Sequence, residues 1–182
     1  MNRNLSDAEK QKLLVVARES IVNHIKGNPV PKYDIAEENL KAKSGCFVTI
    51  KIDNKLRGCL GQFTSDRPLY HLVREMAIAA ATRDPRFYPL TSEDLENIDL
   101  EISVLSPLKK IDSIEEIEVG KHGLYIEKNF YRGVLLPQVA VEYGWDRNTF
   151  LEQTCLKAGL EKNAWKEEAE IYIFSAEVFG ES

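Results

Sequence analysis

Two segments far apart in the chain share an unusual content. RGCLGQ at Arg57–Gln62 resembles RGVLLPQ at Arg132–Gln138, and Gly58 and Gly133 fall in matching places. Helical material follows each, and then a related strand: EISVLSPL from Glu101 in one case, EIYIFSAE from Glu170 in the other. Either match alone is weak, but both in the same order point to an internal duplication. The expectation is a single domain over residues 1–182, with repeats at approximately 45–108 and 123–178. Strands of this kind need helices over their apolar faces. The expected fold class is therefore α/β in the mixed α+β sense: duplicated strand-helix-strand units with helices packed on a mixed or antiparallel sheet. The glycines of the first segment lack GxGxxG spacing, and GKHGLY lacks the Lys-Ser/Thr end of a P-loop, so a doubly wound nucleotide fold is not expected.

Local signals place the elements. Ser6 and Glu9 have the spacing of a capping box, and Leu14, Ala17, Ile21 and Ile25 recur at helical spacing until Gly27. Pro29 and Pro31 then make GNPVPKY an arm, with Val30 and Tyr33 placed to cover the core. In the first repeat Asp66 is the cap candidate and Pro68 fits the first turn of a helix with Leu69, Leu72, Val73, Met76, Ala79 and Ala80 on its apolar side. Asp84 and Pro85 stop it. His71 and Glu75, four apart on that helix, read as a solvated contact. Ile98–Leu105 is a strand with Asp99, Glu101 and Ser103 on its second face. In the second repeat Pro137 opens and Gly144 closes a short helix. Asp146 then caps a longer one, whose Phe150, Leu151, Thr154, Cys155 and Ala158 face the core before Gly159.

The hairpin that carries the first segment turns on its loop length. Cys46, Val48, Ile50 and Ile52 alternate with Phe47, Thr49 and Lys51, and Asp53 and Asn54 are turn formers. A three-residue loop of Asp53, Asn54 and Lys55 pairs Ile52 with Leu56, Ile50 with Gly58 and Val48 with Leu60, and puts Arg57 and Cys59 together on the opposite face. A two-residue loop swaps that relation.

The segments LRGCLGQF, DPRFYPL, VGKHGLYIE, RGVLLPQVAVEYGWD and FLEQTCLKAGL together resemble the successive signatures of the AMMECR domain family, in its prokaryotic branch called AmmeMemoRadiSam system protein A. The resemblance runs from the first helix to the last strand. It implies an α/β fold of duplicated units with LRGCLGQF lining a cleft, and association with a Memo-like protein and a radical S-adenosylmethionine protein. It implies no particular reaction. Leu60 stands where isoleucine is common, and Gln62 where human-like members carry threonine, a change that bears on a ligand's hydrogen bonds.

Composition narrows the function classes. The chain is 43% hydrophobic, enough for a sizeable core, and its 24 basic and 29 acidic residues leave a net charge of −5 with no basic stripe. Nucleic acid is therefore not an expected partner. No apolar stretch reaches a membrane-spanning length and the first residues lack a signal-peptide pattern, so the expected location is cytoplasmic, without a membrane partner. Cys46, Cys59 and Cys155 lack paired spacing, which fits free thiols and specifies neither a metal nor an iron–sulfur site; no cofactor is expected within this chain.

Two chemistries remain at the first segment. Arg57 suits a carboxylate or phosphate through its planar fork, and the backbone around Gly58, Cys59, Leu60, Gly61 and Gln62 suits close approach of a peptide or small anionic ligand. Against this stands a plain structural role: Arg57 paired with an acidic side chain, the glycines allowing a bulge. Cys59 carries the enzymatic alternative, a transferase-like or hydrolytic nucleophile with His122 as its base. Against that, cysteine is often a small buried hydrophobe, and a histidine in KHGL can satisfy a turn carbonyl. Cys46 and Cys155 fit the core. The reading favoured on sequence is a binding or accessory component that uses Arg57–Phe63.

Overall fold

The computed structural model describes residues 4–182. In chain order the elements are helices α1 (Asp7–Ile25) and α2 (Glu38–Lys41), strands β1 (Cys46–Ile52) and β2 (Lys55–Gln62), helix α3 (Leu69–Thr82), and strands β3 (Ile98–Leu105) and β4 (Lys109–Lys110). Strands β5 (Gly123–Lys128) and β6 (Tyr131–Leu135), helices α4 (Pro137–Glu142) and α5 (Arg147–Lys157), and strands β7 (Glu170–Phe174) and β8 (Ala176–Gly180) follow. The chain divides into two compact units. One holds the residues up to Leu105 together with Glu177–Ser182, and the other holds Ser106–Ala176. No helix among the described residues is long and apolar enough to cross a membrane.

In the first unit the sheet order is β2-β1-β3-β8, with β1 antiparallel to both neighbours. Val48 and Ile50 face Ile102 and Leu100 across the ladder, and all four are fully buried with Leu13, Ile21, Leu72 and Val73 of α1 and α3. The other face carries Phe47, Thr49 and Lys51, so the period-two pattern sorts core from surface. Helix α1 opens with the expected capping box: Ser6 Oγ accepts the Glu9 N–H at 3.2 Å and the Glu9 carboxylate accepts the Ser6 N–H at 2.8 Å. Strand β8 was not expected. Long-range pairs hold this end of the chain: Arg18 binds Glu181 through Nε (2.5 Å) and Nη2 (2.6 Å), and Glu181 also accepts the Leu100 N–H at 3.0 Å.

Three local expectations are corrected. Asp66 does not cap α3; Pro68 holds that position, and the Leu69 N–H that a cap would serve donates instead to the Ala42 carbonyl at 2.9 Å. Glu75 pairs with Arg67 rather than with His71, whose ring packs on Tyr70. The third concerns the hairpin. Its loop has two residues, Asp53 and Asn54, both at positive φ (51° and 59°), and Ile52 pairs with Lys55. Yet Ile50 still faces Gly58 and Val48 still faces Leu60, because the register slips between Lys51 and Ile50 and leaves Arg57 as an extra residue. The expected facing of Cys59 is right, and a β-bulge rather than a longer loop produces it. Leu56 pays for the difference: it sits opposite Lys51 and is 42% exposed instead of joining Ile52.

The second unit has sheet order β4-β7-β5-β6, again antiparallel. Leu124 and Ile126 face Ile173 and Ile171, and α5 lays Phe150, Leu151 and Cys155 against them. Asp146 caps α5 by accepting the Thr149 N–H at 2.8 Å, and Pro137 starts α4, both as the sequence indicates. The run β6-β5-β7 matches β2-β1-β3 in order and sense. Gly133 stands opposite Ile126 as Gly58 stands opposite Ile50. Each glycine lies under helix-end backbone: a Cβ at Gly58 would come within 2.2 Å of the Ala80 carbonyl oxygen, and one at Gly133 within 2.5 Å of the Ala158 nitrogen. We propose from this that the two units descend from one duplicated unit within a single domain.

The close approach sets a stability prediction. Gly58→Ala and Gly133→Ala each force backbone apart and are expected to cost about 1–3 kcal/mol or more in urea denaturation. Gly27, at φ 71° with open space around it, is the control. Its alanine variant carries only the left-handed strain of about 1 kcal/mol. A Gly58→Ala protein no less stable than Gly27→Ala contradicts the account.

Candidate functional site

The site grows from the bulge. An extra residue on one strand turns its side chain out of the alternating pattern, and here that residue is Arg57. Its guanidinium lies on the loop that follows α3. Nη1 donates to the Tyr88 carbonyl at 2.8 Å, Nη2 is 3.9 Å from an Asp94 carboxylate oxygen, and the group stands 5.9 Å from the centre of the Phe87 ring. Arg86 approaches the same ring at 5.5 Å, so Phe87 carries two guanidinium contacts. The Arg57 side chain is 23% exposed.

Asp84 joins this loop to the strand. Its side chain is 2% exposed, and its carboxylate accepts four hydrogen bonds: Cys59 N–H (2.9 Å), Arg86 N–H (3.1 Å), Arg86 Nε (3.0 Å) and Arg86 Nη2 (2.7 Å). The Arg86 guanidinium, aided by those two backbone N–H groups, holds the Asp84 carboxyl far below the usual carboxylate range despite its burial. Strand β2 is a sheet edge, and Asp84 satisfies the outward N–H of Cys59 there. That N–H is thus engaged by a carboxylate and is not free for an anion, which corrects the sequence expectation at this atom.

The remaining segment residues divide by face. Gly58 is buried against α3, and Leu60 packs on the first core. A Cβ at Gly61 would meet the Cys46 carbonyl and the Phe47 ring, so glycine is needed there for packing. Gln62 is exposed at the strand end. The Cys59 thiol is half-buried and accepts a hydrogen bond from Thr49 Oγ1 at 3.2 Å. Cys46 and Cys155 are core residues as expected, and burial pushes the Cys46 thiol up to about 12 and raises that of Cys155.

His122 belongs to the second unit and Cys59 to the first, so neither unit alone supplies that pair. Its Nδ1 accepts the Glu118 N–H at 3.1 Å, where the plain sequence reading had it donating to a carbonyl, and burial lowers its pKa. Among the described residues no group of three or more His, Cys, Asp or Glu side chains is arranged to hold a metal ion. The second unit contains an open cavity of about 640 Å³ walled by Lys110, Ile114, Trp165 and Glu170, among others; none of Arg57–Gln62 and not His122 lines it. Asp84, Arg86, Phe87, Tyr88, Asp94 and Thr49 are the members of the site that sequence reasoning did not assign. Asp84 was visible as a helix stop and as the first residue of the family-like segment DPRFYPL, without a role.

Comparison with known proteins places the chain in a wider set. The family profile described as AMMECR1 matches residues 14–179. Protein NEQ441 of Nanoarchaeum equitans is 40% identical over 177 residues, covering 93% of this chain and 98% of its own. Protein MJ0810 of Methanocaldococcus jannaschii is 43% identical over 174 residues, covering 91% and 86% respectively. Among solved structures, that of the uncharacterized protein PH0010 from Pyrococcus horikoshii aligns with a TM-score of 0.85 at 39% identity, covering 98% of this chain and 94% of that one.

The Asp84 hub gives a pH signature. Its carboxyl ionises more readily folded than unfolded, so its contribution is complete above the unfolded value near 4 and is lost as pH falls toward the lower folded value. Asp84→Asn is expected to cost about 2 kcal/mol at pH 7 and to flatten the decline of stability below pH 4. Parallel acid slopes for variant and wild type in urea titrations contradict this assignment.

Proposed function

The chain belongs to the AMMECR1 family, and from that membership we propose a binding or accessory role in which Arg57–Phe63 and the Asp84-anchored loop present one contact surface. The observation that carries the reading is the posture of Arg57. A bulge sets it apart from the strand pattern, and Tyr88, Phe87 and the Asp94 carboxylate 3.9 Å away hold it while part of it stays exposed. A preorganised guanidinium loses little freedom on meeting a carboxylate. A peptide or small anionic ligand is the class that suits it, with Gln62 available at the strand end. The fuller form of the proposal places the protein in the AmmeMemoRadiSam system, in the cytoplasm, with a Memo-like protein and a radical S-adenosylmethionine protein as partners.

The second reading makes Cys59 the nucleophile of a transferase-like or hydrolytic enzyme with His122 as base. Its specific support is the half-exposed thiol, whose Sγ accepts a hydrogen bond from the Thr49 hydroxyl at 3.2 Å. His122 serves it less well, since its Nδ1 lone pair already accepts a turn N–H.

Two substitutions separate the readings when folding is followed by circular dichroism. Arg57→Ala is expected to weaken binding of the purified Memo-like or radical S-adenosylmethionine protein about tenfold, the scale of one charge-assisted hydrogen bond. Cys59→Ser is expected to leave that binding within about twofold. A folded Arg57→Ala protein that binds as wild type refutes the accessory reading at this surface. Covalent capture of an acyl or alkyl group on Cys59, abolished in Cys59→Ser, establishes the enzyme instead.

A further inference from the structure

We propose that the outer edge of β6 is a strand-addition site, where an extended segment of another polypeptide pairs with Arg132 and Val134 and lengthens the second sheet by one strand. The site lies apart from the Arg57 surface and goes beyond the reading above. The hairpin determines which backbone groups point outward. Asn129 and Phe130 form a two-residue loop, so Lys128 and Tyr131 are its hydrogen-bonded closing pair. Alternation then turns the N–H and C=O of Arg132 and Val134 away from β5. Strand β6 is the last of its sheet. Among the described residues no backbone group outside the β5 ladder bonds to Tyr131–Leu135, and no side chain caps Val134.

The first unit shows what closing such an edge takes. The Cys59 N–H, next after Gly58, points out of β2 and is taken by Asp84, four residues past the Ala80 that rests on the glycine. Val134 follows Gly133 in the same way, but the residue four past Ala158 is Lys162, whose side chain has no acceptor. Strand β6 also lacks the proline, bulge or inward charge that blunts an exposed edge. Its register is unbroken, and its one charged residue, Arg132, pairs with Glu127 at 3.4 Å. Apolar surface flanks the edge: Phe130 is 99% exposed, Tyr131 52% and Leu156 51%. Tyr131 stands on the α5 side, since its ring would lie 3.6 Å from a Cβ at Gly159.

Backbone and helix together select the occupant. Outward N–H and C=O groups on every second residue match an extended polypeptide backbone. Tyr131, Gly133 and Leu135 share the α5 face, and the end of α5 stands directly over Gly133. The residue paired with Gly133 is therefore small, and those two positions to either side are apolar, one of them against Tyr131. A second copy of this chain fits poorly. In the register that pairs all of β6 with its equivalent, Gly133 faces Gly133 and the two α5 ends stand one strand spacing apart, about 4.8 Å, where packed helices need about 8–10 Å. The segment belongs to a different polypeptide.

The test selects phage-displayed random peptides on the full chain and scores enrichment against Val134→Pro. Proline there removes one outward N–H and leaves the β5 ladder intact. Leu156→Lys is the second variant and changes only the helix side, and both are checked for folding by circular dichroism. The enriched peptides are synthesised, titrated by calorimetry and followed by amide NMR of the chain. We expect Gly or Ala between apolar residues two positions away, slowed exchange at the Arg132 and Val134 N–H groups, and about tenfold weaker binding to either variant. N-methylation of one alternate set of peptide residues is expected to abolish binding and of the other set to spare it; if the proline variant misfolds, this and Leu156→Lys decide. Arg57→Ala is expected to bind as wild type. No enrichment over a folded Val134→Pro protein overturns the proposal. So do peptides that bind both variants as wild type, peptides that weaken only with Arg57→Ala, or a dimer of this chain that Val134→Pro dissolves.

Discussion

The first unit depends on a place where two backbones touch. With a side chain at position 58, the Ala80 carbonyl oxygen would lie 2.2 Å from its Cβ, so the end of α3 can rest on β2 only because the residue is glycine. That contact decides what comes next in space. The chain leaving α3 starts beside the sheet edge, and Asp84 meets an edge N–H that would otherwise need water. Burying this carboxylate is favourable only with its charge matched, and Arg86, two residues on, supplies the match. The loop that carries Phe87 and Tyr88 is thereby folded back against Arg57. One missing methyl group sets the position of everything that makes the surface chemically distinctive.

The second unit shows how much of this follows from the glycine alone. Gly133 meets Ala158 in the same manner and stands opposite the same kind of buried isoleucine. But the β5–β6 register runs unbroken from Lys128–Tyr131 to Leu124–Leu135, so Arg132 stays in the alternating pattern opposite Glu127 and pairs with it at 3.4 Å, 65% exposed. The shared glycine gives the shared architecture. The bulge, present in one hairpin and missing from the other, separates an arginine held against a loop from an arginine in an ordinary cross-strand pair worth a fraction of a kcal/mol. Similarity between the segments thus reports the scaffold, and their difference reports the bulge that sets Arg57 against the loop after α3.

This division also explains what could be read from the sequence. Periodicity and capping are local, and they located α1, β1, α3, β3, α4 and α5 because Ser6, Pro137 and Asp146 act within one turn of their own position. Strand β8 depends on Arg18 meeting Glu181, a pairing of the two ends of the chain that no window contains. The Asp66 cap failed for a related reason: Ala42, from another part of the chain, had already supplied the acceptor. Asp84 signals helix termination and opens the family-like segment DPRFYPL, but nothing local to it shows that its carboxylate meets the Cys59 N–H, 25 residues away.

The bulge is the instructive case, since competing local preferences were both visible and only their balance was hidden. Asp53 and Asn54 tolerate positive φ and favour the tight two-residue turn, which by itself would bring Cys59 beside Val48 and put Arg57 opposite Ile50 on the buried face. Burying an arginine there without partners is costlier than inserting one unpaired residue into an edge strand, where the lost ladder bond is replaced by solvent or a side chain. The hairpin therefore keeps its preferred turn and corrects the register one step later. Arg57 stands out of the ladder because the core has no place for it, and the guanidinium excluded in this way settles on the Tyr88 carbonyl and beside the Asp94 carboxylate.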